Sequence, residues 1–137
     1  MTFSARETFP SFLAGTALGK GTDGQPVLIG TACNACNARI FPPVAVCPAC
    51  MSEDVKLEQM PREGTLYSFT IVHVGPPTWV KPFALGYVDL KNGVRVFSHL
   101  AGSSLKLGDP VELAIGRIGT NPDGTEINTF VFRLAGT

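Results

Sequence analysis

Cys33-Asn34-Ala35-Cys36 and, ten residues further on, Cys47-Pro48-Ala49-Cys50 contain all four cysteines of the 137-residue chain. In each CxxC pair the two-residue spacer lets the backbone reverse with both sulfurs on one side, so each pair supplies two corners of a tetrahedron. Zinc takes four such ligands at about 2.3 Å from each sulfur. A short hairpin between the pairs brings the two halves together as the knuckles of a zinc ribbon. Two disulfides are a rival reading, but the opening Met1-Thr2-Phe3-Ser4-Ala5-Arg6-Glu7 lacks the basic stretch and apolar core of a secretory signal. That favours a reducing, cytoplasmic setting. A thioredoxin-type redox motif uses one CxxC at a helix start, and Pro42, Pro43 and Pro48 oppose helix here. Four free thiols are the third alternative. A structural zinc site is closed, whereas a catalytic one keeps a position open. With Cys33, Cys36, Cys47 and Cys50 as ligands, the metal is expected to hold the fold and do no chemistry, and His73 and His99 are not needed.

Outward from the knuckles the chain divides into three. Residues 1–26 form an N-terminal arm and linker. Ser4 to Leu18 is a short helix or an extended arm, and Gly19 to Pro26 is a turn-rich link. That link lacks the Lys-Ser/Thr and following helix of a phosphate loop, since Pro26 and the β-type run Val27-Leu28-Ile29 come next. Residues 27–60 form the ribbon, with Ile40, Phe41 and Val44 expected beside the metal and Ser52 to Met60 leaving it. Residues 64–134 change to strand texture. Thr65 to Val74 is β-branched and aromatic, with Tyr67, Phe69 and Ile71 as an apolar face. Phe83–Leu90 and Val94–Leu100 flank Asn92-Gly93, the pair a two-residue hairpin prefers. A short helical turn is expected within Ala101 to Pro110, then strands at Val111–Ile118 and Glu126–Leu134. Five strands with these links suit a closed Greek-key barrel of the OB type, which leaves no long exposed edge. The fold class is therefore mainly β, a zinc ribbon followed by a five-stranded OB-fold.

Lysine and arginine total 11, as do aspartate and glutamate, and the charges are scattered. No basic stripe for a phosphate backbone results. No apolar run reaches the ~20 residues of a membrane helix. Only 22 of 137 residues are charged, which leaves apolar surface for another protein to cover.

The order of motifs resembles a known family. Cys33-x-x-Cys36, Phe41-Pro42-Pro43, Cys47-Pro48-x-Cys50, the run Gly64 to His73, Gly93-Val94-Arg95-Val96 and Leu107 to Glu112 are similar to those of small proteins that join a rubredoxin-like zinc ribbon to an OB-fold. These proteins accompany thiolases and thiolase-like acyl-CoA enzymes, and the small subunits of the benzoylsuccinyl-CoA thiolase type are close in size. The resemblance implies a non-catalytic accessory subunit with structural zinc. Its partner would be a thiolase or related enzyme, and coenzyme A or acyl-CoA would bind only in the complex with that enzyme.

The residues themselves offer no nucleophile beside a base: His73 and His99 fall on strands, and Asp89 and Glu112 are separate carboxylates. Trp79 stands apart, because the one tryptophan lies in the proline-rich loop Gly75 to Pro82. It reads either as a lid on the barrel or as an anchor for a partner. Trp79, Lys81 and Phe83 form the candidate face toward a partner or coenzyme A. A single-stranded nucleic-acid module is the rival function, with Tyr67, Phe69, Tyr87 and Phe97 as stacking platforms. The balanced charge opposes it.

Overall fold

A computed structural model describes residues 17–102 and 104–135, and the expectations for Ser4 to Thr16 fall outside them. Four strands form the N-terminal sheet: β1 (Leu18–Lys20), β2 (Pro26–Cys33), β3 (Arg39–Ile40) and β4 (Val55–Gln59). β2 is its hub. It pairs antiparallel with β1 from Leu18↔Leu28, with β3 at Thr31↔Ile40, and with β4 from Ile29↔Gln59 to Cys33↔Val55. Every residue from Val27 to Cys33 is buried, which explains why this strand reads as a continuous run of small and apolar residues rather than an alternation. Gly30 is required there, since a Cβ would overlap the Ile40 carbonyl oxygen and stand 2.9 Å from Met60 Cε.

Two expectations change. Gly19 to Pro26 is not a loose link but the bend of the β1–β2 hairpin. Gly21 N–H donates to Gln25 O at 2.8 Å, and Asp23 Oδ1 accepts from Gln25 N–H. Ser52 to Met60 does not leave the ribbon but returns as β4, closing the sheet on the other side of β2. Both segments are short and polar, so their pairing depends on β2 rather than on any periodicity of their own.

The second half is a closed barrel of β5 (Glu63–Val72), β6 (Phe83–Leu90), β7 (Arg95–Leu100), β8 (Pro110–Thr120) and β9 (Glu126–Leu134) in the order β5-β6-β7-β9-β8. β8 returns to β5 through Glu63↔Glu112, Gly64↔Val111 and Thr65↔Pro110. The β6–β7 hairpin turns at Asn92-Gly93, where Gly93 has φ 89° and Asn92 Oδ1 accepts from Val94 N–H. Val94 and, on β7, Val96, Ser98 and Leu100 are buried. The helical turn expected within Ala101 to Pro110 is absent from the described residues there. β5 also differs. Leu66 is buried, whereas Tyr67, Phe69 and Ile71 are exposed. The barrel interior holds Leu66, Val88, Val96, Leu113 and Phe132. The register shift between Leu66 and Ser68 splits the expected face: Tyr67 stays outside, whereas Phe69 and Ile71 pair with Gly86 and Ala84, on the side of Leu100 at the open end of the barrel.

The two sheets share one core. Leu18 and Leu28 from the N-terminal sheet and Met60 from the connection lie in the same cluster as Leu66, Val88, Val111 and Phe132. Full burial is worth roughly 1.5–3 kcal/mol for each such side chain. Three of them match a large part of the 5–15 kcal/mol net stability typical of a domain. Phe41 also turns to the barrel rather than to the metal, its ring meeting that of Phe130 edge-on.

Candidate functional site

The four cysteine sulfurs converge within 4.8 Å of one another. Across the knuckles, Cys33 Sγ lies 3.6 Å from Cys50 Sγ, and Cys36 Sγ lies 3.7 Å from Cys47 Sγ. The edge of a tetrahedron with Zn–S bonds of about 2.3 Å is about 3.8 Å, so the donor set fits a tetrahedral soft metal. Cys33 and Cys47 are buried while Cys36 and Cys50 reach the surface.

The two knuckles are structural twins. Asn37 N–H donates to Cys33 O at 3.0 Å and Met51 N–H to Cys47 O at 2.8 Å; Cys33 N–H donates to Ala38 O and Cys47 N–H to Ser52 O, both at 2.9 Å. The residue after the second cysteine takes the left-handed conformation in each, Asn37 at φ 63° and Met51 at φ 68°. Asparagine adopts that region readily, whereas methionine does so at a cost. Surrounding bonds fix the pair in place. Thr31 Oγ1 donates to Val44 O and accepts from Val44 N–H, so the inter-knuckle loop is tied to β2 through backbone. Asn34 Nδ2 donates to Asp54 Oδ1.

The electrostatics of the thiols call for a cation. The Cys50 amide, aimed at Cys47, is the main influence that holds the Cys47 thiol down to about 7, against the effect of burial. The Ser52 amide favours a thiolate at Cys50. The Cys36 thiol, burial and the thiols of Cys33 and Cys47 outweigh it and push Cys50 up to about 12. Four thiolates at this spacing repel one another, and a divalent ion removes the conflict.

At the far end of the barrel, the β5–β6 loop is stitched to β8. Val80 N–H donates to Ile118 O at 2.8 Å and Thr120 N–H to Thr78 O at 2.9 Å, which pairs Trp79 with Gly119. Nothing larger than glycine fits at 119, where a Cβ would overlap the Thr78 carbonyl oxygen and lie 2.8 Å from the Trp79 Cα. Of the three expected residues, the fold brings Trp79 and Phe83 together. The Trp79 ring packs 5.4 Å from Phe83 and 5.1 Å from His99, edge-on to both. Lys81 is directed elsewhere, donating from Nζ to Pro76 O at 2.8 Å and Trp79 O at 2.9 Å. It braces the loop. Burial lowers the His99 pKa from its ordinary 6.5, so this imidazole is neutral at neutral pH.

The outer face of β5, β6 and β7 carries three of the aromatics that the sequence offered as stacking platforms. Tyr67 and Phe97 are each 53% exposed and Tyr87 43%, too much apolar surface in one place to be scattered chance. Tyr87 and Phe97 pack at 4.9 Å. Arg95 lies over the Tyr67 ring at 3.6 Å while its guanidinium grips Asp89 at 2.6 and 3.1 Å. The arginine hydrogen bond holds the Asp89 carboxyl below its usual range.

Comparison with known proteins places this architecture. Residues 24–56 match the family model described as ChsH2, rubredoxin-like zinc ribbon domain, and residues 57–116 that described as ChsH2, C-terminal OB-fold domain. The chain is 35% identical over 114 residues to benzoylsuccinyl-CoA thiolase subunit BbsA of Thauera aromatica, covering 81% of this chain and 79% of that protein. It is 32% identical over 112 residues to BbsA of Geobacter metallireducens, covering 80% and 76%. A solved structure described as the Ltp2-ChsH2(DUF35) aldolase superposes with a TM-score of 0.64 at 29% identity, over 80% of this chain and 85% of that chain. Matched in both halves and along four-fifths of its length, the chain belongs to the ChsH2 family of rubredoxin-like zinc-ribbon and OB-fold proteins.

Proposed function

We propose that the protein is a non-catalytic accessory subunit that binds and supports a thiolase or thiolase-like acyl-CoA enzyme. The observation that carries this reading is the 35% identity to a thiolase subunit along nearly the whole fold. An exposed aromatic face and a stitched, tryptophan-bearing loop supply the surface such a role needs. Cys33, Cys36, Cys47 and Cys50 hold one structural zinc ion in the ribbon, residues 27–60. Residues 64–134 form the docking module. The four thiols, the strongest nucleophiles in the chain, are spent as ligands, in keeping with a cytoplasmic protein that has no reaction of its own. Coenzyme A or acyl-CoA binds only once the partner enzyme is in place. Trp79 and Phe83 face that partner, and Lys81 holds their loop in shape while offering its remaining N–H at the interface.

A protein interface accounts for the aromatics better than single-stranded nucleic acid does. The arginine among them is already neutralised by Asp89, whereas phosphate binding needs available cations. The test is co-purification of the tagged chain from its native source, with bound proteins identified by mass spectrometry. A stoichiometric thiolase-like subunit is the expected result. Recovery of the chain alone, or thioester turnover by the purified chain, overturns the reading.

A further inference from the structure

Beside the Trp79 loop lies a narrow cleft of about 180 Å³, lined by Trp79, Leu85, Phe97, His99, Thr129 and Phe130. Its size decides what it can hold. At about 30 Å³ per water it has room for some six water molecules, below the ~300–1,000 Å³ of pockets that bury whole small-molecule ligands. A single large side chain fits. The lining is aromatic and aliphatic. Of its two hydroxyls, Ser98 donates to His99 O at 2.8 Å and Thr129 is buried, and its imidazole packs against the Trp79 and Phe83 rings. On the outer face Arg95 and Asp89 neutralise each other in a bidentate pair, and the Lys81 ammonium behind Trp79 is held by the Pro76 and Trp79 carbonyls. No acidic or basic side chain lines the cleft apart from the His99 imidazole, and its Phe97 wall continues into the exposed ring of Tyr87 at 4.9 Å.

We propose that this cleft is the socket for one apolar anchor side chain, presented by an uncharged segment of the acyl-CoA enzyme. The proposal rests on the accessory-subunit reading and makes it specific: docking energy concentrates at one buried anchor, and the outer parts of the face exclude water around it. The floor of the socket is set by the ribbon. Phe130 lines the cleft and is also the ring on which Phe41 packs, at 6.0 Å between centroids. The zinc module therefore shapes the docking site without touching the partner through its metal.

Two measurements test the socket. The first uses toluene, the phenylalanine side chain without its backbone, titrated into the full chain and followed by NMR. Shifts are expected at the Trp79 indole and the amides of Phe97, His99, Thr129 and Phe130, and they are lost in Phe97→Asp. Equal shifts across Tyr67, Phe69 and Tyr87, or none at all, overturn the socket. The second measures affinity for the enzyme recovered with the wild-type chain. Phe97→Asp is expected to weaken it at least about tenfold and Tyr67→Ala much less. Equal losses point to a diffuse face and overturn the anchor. If the enzyme binds and both variants bind as wild type, the socket is wrong and the accessory role stands. If toluene enters the cleft but no enzyme is recovered, the accessory role falls and takes the proposed occupant with it.

Discussion

The rings of Phe41 and Phe130 meet edge-on, 6.0 Å between centroids and 87° between planes, and so join the loop between the two cysteine pairs to the last strand of the barrel. Neither half can shift without disturbing this contact. Phe41→Ala is expected to destabilise the protein by about 2–3 kcal/mol, below the 3–5 of a fully buried phenylalanine because Phe41 is only partly covered. Zinc content should stay at one per chain, because the ligands are held by β2 and the knuckle amides. Urea unfolding alongside metal analysis checks both halves of the expectation. Loss of zinc in this variant would place Phe41 at the metal instead.

Met51 sits in a conformation that costs an ordinary side chain roughly 1–2 kcal/mol. Its twin in the first knuckle is an asparagine, which tolerates the same angles. Met51→Asn should therefore raise stability by about 0.5–1 kcal/mol, with the zinc site intact. Thermal unfolding of the zinc-loaded protein would show it. An unchanged or lower midpoint would mean that the exposed Met51 side chain makes contacts in solution that offset its backbone strain.

Zinc binding must displace protons from thiols, and the direction is set by the thiol pKa values. Cys50 is pushed up to about 12 and Cys36 is also raised, although the Ala38 amide favours its thiolate, so these two thiols are protonated at neutral pH without metal. Cys47, at about 7, is half ionised there. Affinity should rise steeply between about pH 6 and about pH 8, with protons released on binding. Folding stability of the loaded protein should fall correspondingly on acidification. Chelator competition across this range measures the slope, and a flat profile would remove the four-thiolate assignment. Cys36→Ser should lose the metal outright.

Gly119 is the point where the Trp79 loop is stitched down. Gly119→Ala places a methyl group where the Thr78 carbonyl oxygen stands, so the loop must lift. Overpacking of this kind costs about 1–3 kcal/mol. The barrel should remain folded while the emission of the one tryptophan moves to the red, as Trp79 leaves Phe83 and His99. Emission identical to wild type would show that the loop absorbs the methyl without moving.

Features fixed by short-range chemistry were legible in the sequence. Two CxxC pairs state their ligand geometry, and Asn92-Gly93 states its hairpin. Features fixed by long-range pairing were not. β1 and β4 become strands because β2 has two edges to fill, and neither segment says so by itself. Phe41 lies beside proline and near cysteine in sequence, so its packing on a strand some ninety positions away leaves no local trace. Tyr67, Phe69 and Ile71 alternate as one apolar face in sequence, but the register shift after Leu66 parts Tyr67 from Phe69 and Ile71, and a bulge set by pairing with β6 leaves no mark on the periodicity.

Leu28 and Cys33 belong to a single eight-residue strand, one facing the barrel's interior and the other a member of the thiol cluster. That shared strand makes the two halves poor candidates for exchange. A fragment starting at Glu63 would open the barrel where Leu18, Leu28 and Met60 now seal it, and a fragment ending at Gln59 would leave the same side chains facing water. Grafting this barrel onto a foreign ribbon would fail for the same reason unless β2 travelled with it. The chain should accordingly melt in one cooperative transition, and its halves should be inherited together.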